Sequence, residues 1–107
     1  MIKWYPDLYL DEKAEKKIKK LKTKIEEGKL TINLYCVCLA TNPDNILDIM
    51  NTNELLFRHY SNTTVSIVGL AYSRQGAVKL VEQIALDIYN QTDDFSAKDF
   101  FFEFANN

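Results

Sequence analysis

From Leu30 to Ala40 the chain reads LTINLYCVCLA, and from Val65 to Ala71 it reads VSIVGLA between turn-forming residues. Short apolar runs rich in β-branched and aromatic residues predict buried strands over both segments. Elsewhere the apolar positions take helical spacing. Between Asp11 and Gly28, the residues Ala14, Ile18, Leu21 and Ile25 fall within an arc of roughly 60°, with lysines on most of the remaining circumference. Asp11 is the expected cap, Glu12 and Glu15 complement the helix dipole, and Gly28 stands just past the end. So narrow a stripe suits a helix resting lightly on the domain or paired with a second copy. A broader face follows Ser73, a second candidate cap. From Arg74 to Gln91, Ala77, Leu80, Val81, Ile84, Ala85 and Ile88 span about 140°, which predicts the central core helix and leaves Leu86 on its far side.

The segments between are read from turn chemistry. Asn42 as cap, Pro43 at the first helical position and Asp44 in the first turn predict a helix from Pro43 to Met50. The sequence NTNE at Asn51–Glu54 resembles a second cap, so the element extends as one bent helix or two short ones to about Tyr60. Residues 1–10 hold Ile2, Trp4, Tyr5, Leu8, Tyr9 and Leu10, too apolar for a free tail, and Pro6 interrupts any regular ladder; a packed extended arm is expected. The end of the chain places five phenylalanines between Phe95 and Phe104, either as a docking helix after Ser96 or as an edge strand. These rings close the core or form a partner-binding patch.

A shift of 31 residues lays Val37–Met50 on Val68–Val81, with Val, Leu and Ala coinciding and Asn42 in register with Ser73. Two strand-turn-helix units in succession predict parallel strands joined by a right-handed helical crossover. The expected fold is therefore a single small α/β domain over 1–107, of α-β-α-β-α order: an arm (1–10), a basic helix (11–28), two β-α units (30–91) and an aromatic tail element (95–104). Two parallel strands make a small sheet with open edges. The arm, the tail or a second subunit must extend it, and a homodimer would also cover the narrow helix stripe and Leu86.

The length of 107 residues and a composition 47% hydrophobic and 26% charged agree with one domain that folds without disulfides or metal. No apolar run approaches the roughly 18 residues of a membrane span, and MIKWYPDLYLDEK lacks the order of a signal peptide, so a cytoplasmic location without membrane insertion is expected. Charge is divided unevenly. Residues 1–29 carry nine lysines against six acids, residues 30–107 four basic residues against nine acids, and Lys13–Lys24 alone holds seven lysines and one glutamate. Such a run attracts an anionic partner, although it is also what a solvated helix face looks like. Lys outnumbers Arg by 11 to 2. Since Arg forks onto phosphate and reads guanine, nucleic-acid binding would be weak, non-specific and salt-sensitive.

Parallel strands place a ligand crevice at their carboxyl ends, here Asn42 and Asp44 in one turn and Ser73 and Arg74 in the other, a candidate seat for a small anion or nucleotide. Gly69 and Gly76 fit neither glycine-rich phosphate motif. His59 is the only histidine, and Cys36 and Cys38 sit in an apolar run away from helix starts and lysines, so neither a nucleophile-base pair nor a zinc site is legible. No cofactor motif occurs, and two buried thiols are expected. The candidate partner surfaces are Lys16, Lys17, Lys20 and Lys24 for an acidic protein, and Trp4, Phe101 and Phe102 for apolar contact.

LYCVCLATNPDNILDI, VSIVGLAYSRQGAVKLVEQI and the opening WYPDLYL together resemble a family of short uncharacterised bacterial α/β proteins. The resemblance implies a bacterial cytosolic protein and assigns no activity, cofactor or partner. The residues favour a non-catalytic interaction or regulatory module that self-associates, with small-anion binding at the strand ends as the alternative and weak nucleic-acid binding through the lysine helix as a further one.

Overall fold

The computed structural model describes residues 2–40, 47–58, 64–92, 100–101 and 104. Strands β1 (Ile2–Leu10), β2 (Tyr35–Leu39), β3 (Leu47–Asn51) and β4 (Val65–Ala71) form one mixed sheet in the order β1-β4-β2-β3. Helices α1 (Glu12–Lys16) and α2 (Ile18–Glu26) follow β1, a 3-10 turn (Thr52–Glu54) and α3 (Leu55–Arg58) follow β3, and α4 (Arg74–Thr92) follows β4. The α/β class holds.

The arm is the element that extends the sheet. β1 pairs in parallel with β4, Ile2 to Trp4 against Val65 to Ile67, then Tyr9 and Leu10 against Gly69 and Leu70. Between these stretches Tyr5–Leu8 stands opposite Val68 alone, and the excursion carries Pro6, whose missing N–H is tolerated at an irregular edge. Gly69 makes the return possible, because a Cβ there would stand 3.0 Å from the Tyr9 carbonyl oxygen.

Expected pairings and element boundaries are corrected at several places. β2 runs antiparallel to β4, with Tyr35 opposite Ala71 and Cys38 opposite Ile67, so the two sequence-predicted strands are not the parallel pair. Residues 47–50, expected in a helix, form β3 together with Asn51 and pair antiparallel with β2 from Leu39↔Leu47 to Tyr35↔Asn51. The 31-residue similarity therefore matches β2 and β3 to β4 and α4, elements of different kind, and is no structural repeat. Leu30–Leu34 also leaves the predicted strand. Thr31 is buried there while Leu30 and Ile32 are 70% and 82% exposed, the reverse of an apolar-in pattern. The inversion comes from Asn53, which accepts from Thr31 N–H at 2.8 Å and donates to Thr31 O at 3.0 Å, and from a hydrogen bond between the Thr31 and Thr52 hydroxyls. Asn51, as expected, caps the turn by accepting from Asn53 N–H at 2.9 Å.

The basic helix is two helices. Lys17 breaks the ladder with φ −122° and ψ 18°, donating to Ala14 O in a 3-10-type bond. At the far end Gly28 takes φ 71°, and Gly28 N–H and Lys29 N–H close onto Ile25 O and Lys24 O, a Schellman ending that needs a left-handed residue.

The sheet is covered on both faces. Ala14, Leu21, Ile25 and Leu55 pack with Cys36, Cys38, Met50, Ile67 and Leu70 on one side, and Ala77, Leu80, Ile84 and Ile88 pack with Val37, Val68 and Ala71 on the other. Phe101, 1% exposed, and Phe104 close the second layer, their rings edge-on to Tyr5 at 5.0 and 5.4 Å between centroids. The rest of the tail element, and its expected choice between helix and strand, lies outside the described residues.

Candidate functional site

The expected strand-end crevice is not assembled. Because β2 and β4 are antiparallel, the carboxyl end of β2 lies about 14 Å along the sheet from that of β4, at roughly 3.4 Å per residue. Asn42 and Asp44 fall outside the described residues. Ser73 and Arg74 stand at the opposite end of the sheet from Leu39.

The parallel pair that exists, β1 with β4, brings Asp11 to Tyr72 at the place where a ligand would sit. Asp11 Oδ2 accepts from Tyr72 N–H at 2.8 Å, and its Oδ1 accepts from Ala14 N–H at 2.8 Å as the α1 cap. Ser73 Oγ accepts from Gly76 N–H at 2.8 Å and caps α4. A Cβ on Gly76 would meet Ser73 Oγ at 3.0 Å and Asp11 Oδ2 at 3.5 Å, so the mouth of α4 is filled by the chain's own hydroxyl and carboxylate. A small anion there would face a like charge. The geometry therefore gives Ser73 a capping role and lends no support to Ser73 and Arg74 as an anion seat. Arg74 is exposed and reaches no carboxylate among the described residues.

Lysines dominate the outer surface of α1 and α2. Lys16, Lys17 and Lys20 are exposed and Lys24 is half-buried. Among the described residues the sole ion pair on these helices joins Lys16 to Glu12 at 3.8 Å, with both side chains largely in water, a contact worth well under about 1 kcal/mol. Lys13 and Lys17 lie over the Tyr72 ring at 4.7 and 5.8 Å, and Lys22 lies over Trp4 at 5.6 Å. The charge on this face is thus spread over aromatic rings and solvent, with little neutralisation by acids.

The aromatic candidates divide. Trp4 is half-buried and spends its indole N–H on Glu26 Oε1 at 2.7 Å, so it ties β1 to α2. Phe101 is core, which corrects its assignment to a partner surface: a ring without solvent exposure offers no contact. Phe102 lies outside the described residues. The surface that sequence reasoning missed is the Leu30–Ile32 segment, hidden because an apolar run predicts burial and no local pattern reveals that Thr31 is the anchored member.

Cys36 and Cys38 are buried with their sulfurs 3.6 Å apart. The hydrogen bond from Cys38 and burial both push the Cys36 thiol up from its ordinary value, so it stays protonated and a poor nucleophile. No three His, Cys, Asp or Glu side chains among the described residues cluster as metal ligands would, and no described helix is long and apolar enough to cross a membrane. Comparison with protein-family models, curated proteins and solved structures finds no match.

Proposed function

We propose that this domain is a non-catalytic interaction module whose α1–α2 surface receives an acidic segment of another protein. The observation that carries the reading is the lysine run Lys13–Lys24, presented on two short helices with a single weak, exposed ion pair among the described residues. A face of this charge raises the local concentration of an anionic partner and speeds its encounter. Scarcity of arginine weighs against phosphate-directed recognition and so against nucleic acid.

Self-association is the second part of the reading, and its support has narrowed. The sheet gains two further strands from its own chain, and Ala14, Leu21 and Ile25 are buried within the monomer. What favours a second copy is Leu86, 61% exposed on the outer side of α4.

The test is the variant K16E/K17E/K20E/K24E titrated beside the wild type with poly-glutamate and with single-stranded DNA at low and high salt. Wild-type binding to poly-glutamate that weakens with salt and vanishes in the variant, with unchanged far-ultraviolet circular dichroism, supports the reading. Equal binding by both proteins removes this surface, and a preference for DNA replaces the acidic protein with nucleic acid. Light-scattering mass in the same buffers decides self-association: a monomer at every concentration withdraws it.

A further inference from the structure

The outer edge of β1 borders an open, shallow slot. A cleft of about 310 Å³ is lined by Asp7, Leu8, Tyr9 and Leu10 of β1, by Glu15 of α1 and by Gln83 of α4. Since α1 and α4 cover opposite faces of the sheet, the cleft is bordered from both faces with the strand edge at its floor.

The floor offers backbone hydrogen bonds. Asp11 N–H donates inward to Leu70 O, and amides alternate sides along a strand, so the N–H and C=O of Leu10 point to the outer edge. Edge strands are commonly blunted by proline, bulges and charge, and Tyr5–Leu8 with Pro6 blunts β1 in this way. The protection ends where Tyr9 and Leu10 return to register with β4. Beside that regular stretch, Asp7 and Glu15 make no ion pair among the described residues, and Gln83 adds an amide at the rim.

We infer that this slot binds an extended, lysine- or arginine-bearing peptide segment of another protein, which adds to β1 at Leu10 and sets its cations against Asp7 and Glu15. Strand addition supplies main-chain hydrogen bonds, while flanking side-chain positions supply selectivity. A second copy of this chain fits poorly, because its own β1 edge carries the same two acids and the same helical walls. Glu15 is the one acid of the Lys13–Lys24 run, so the slot adjoins the lysine surface and differs from it in charge only through its own lining, which holds Asp7 and Glu15 and no lysine.

The experiment uses the full chain and an eight-residue fluorescent peptide of alternating lysine and valine, read by anisotropy. Two control peptides replace lysine by glutamate or N-methylate alternate amides. Expected results are binding of the lysine peptide, loss of about tenfold or more in affinity in D7N/E15Q, a comparable loss on N-methylation, and slowed hydrogen exchange at Leu10. Equal affinity of the glutamate peptide or of D7N/E15Q would overturn the charge recognition. Equal affinity of the N-methylated peptide would overturn strand addition, and that arm needs no protein variant, so it decides even if D7N/E15Q is unstable.

Discussion

Asp11 joins the ends of two distant segments: one oxygen of its carboxylate accepts from Tyr72 N–H, 61 residues away, while the other caps α1 at Ala14 N–H, both at 2.8 Å. The Asp11 amide in turn donates to Leu70 O at 3.2 Å. One residue therefore ends β1, starts α1 and holds the turn between β4 and α4. Replacing it removes a helix cap and a charged hydrogen bond together. Asp11→Ala is expected to destabilise by on the order of 2–4 kcal/mol, and Asp11→Asn, which retains a capping oxygen, by less. Urea unfolding of the three proteins measures this; equal midpoints would mean that the Tyr72 contact contributes nothing.

Tyr9 and Asp87 connect β1 to α4 through a phenol-carboxylate hydrogen bond of 2.6 Å. Burial, that bond and the Asp87 charge all raise the Tyr9 phenol above its ordinary value, and Tyr5 is raised by burial, Asp7 and Asp87. A raised folded-state value means that the unfolded chain releases its proton first. The stabilisation is then whole below the ordinary tyrosine value near 10 and is lost as pH rises through and beyond it. Tyr9→Phe should lose about 1–2 kcal/mol at neutral pH and show a shallower decline above it. Thermal midpoints measured from pH 7 to 11 check the sign; parallel curves for the two proteins would contradict it.

The hydroxyls of Thr31 and Thr52 bond to each other, both residues being buried, and this pair with Asn53 holds Leu30 and Ile32 outward. Thr31→Val is nearly isosteric but strands the Thr52 hydroxyl, so a loss of about 1–3 kcal/mol is expected. Thr31→Val/Thr52→Val removes both polar groups and should recover part of that loss. A double-mutant cycle on chemical denaturation measures the coupling, and strict additivity would argue against the bond.

Phe101 and Leu86 make a contrasting pair, one with 1% of its surface exposed and the other with 61%. Phe101→Ala should cost about 3–5 kcal/mol through the cavity it leaves beneath Tyr5, whereas Leu86→Ser should change stability by less than about 0.5 kcal/mol. If the order were reversed in a thermal melt, the aromatic tail would not be core.

Local chemistry determined much of this protein from the sequence alone. The caps at Asp11 and Ser73, the left-handed ending at Gly28, strand 65–71 and helix α4 are each specified by neighbours a few residues apart: a side-chain oxygen, a residue without Cβ, an unbroken apolar run, a 3.6-residue period. What needed tertiary structure was pairing. In Leu47–Asn51, Leu47 and Met50 have the three-residue spacing of a helix while Leu47 and Ile49 have the two-residue spacing of a strand, and the five residues become β3 because they pair with β2. Thr31 is buried in place of Leu30 and Ile32 because Thr52 and Asn53, some twenty residues on, supply its hydrogen bonds. The candidate sites followed the same division. The lysine surface is written in consecutive residues, but the strand-end crevice required a direction of pairing, and antiparallel β2 and β4 pulled its halves apart while β1 brought Asp11 and Tyr72 together. Strand direction is a long-range property, decided by which edges and faces meet when the whole chain packs, and no short stretch of sequence encodes it.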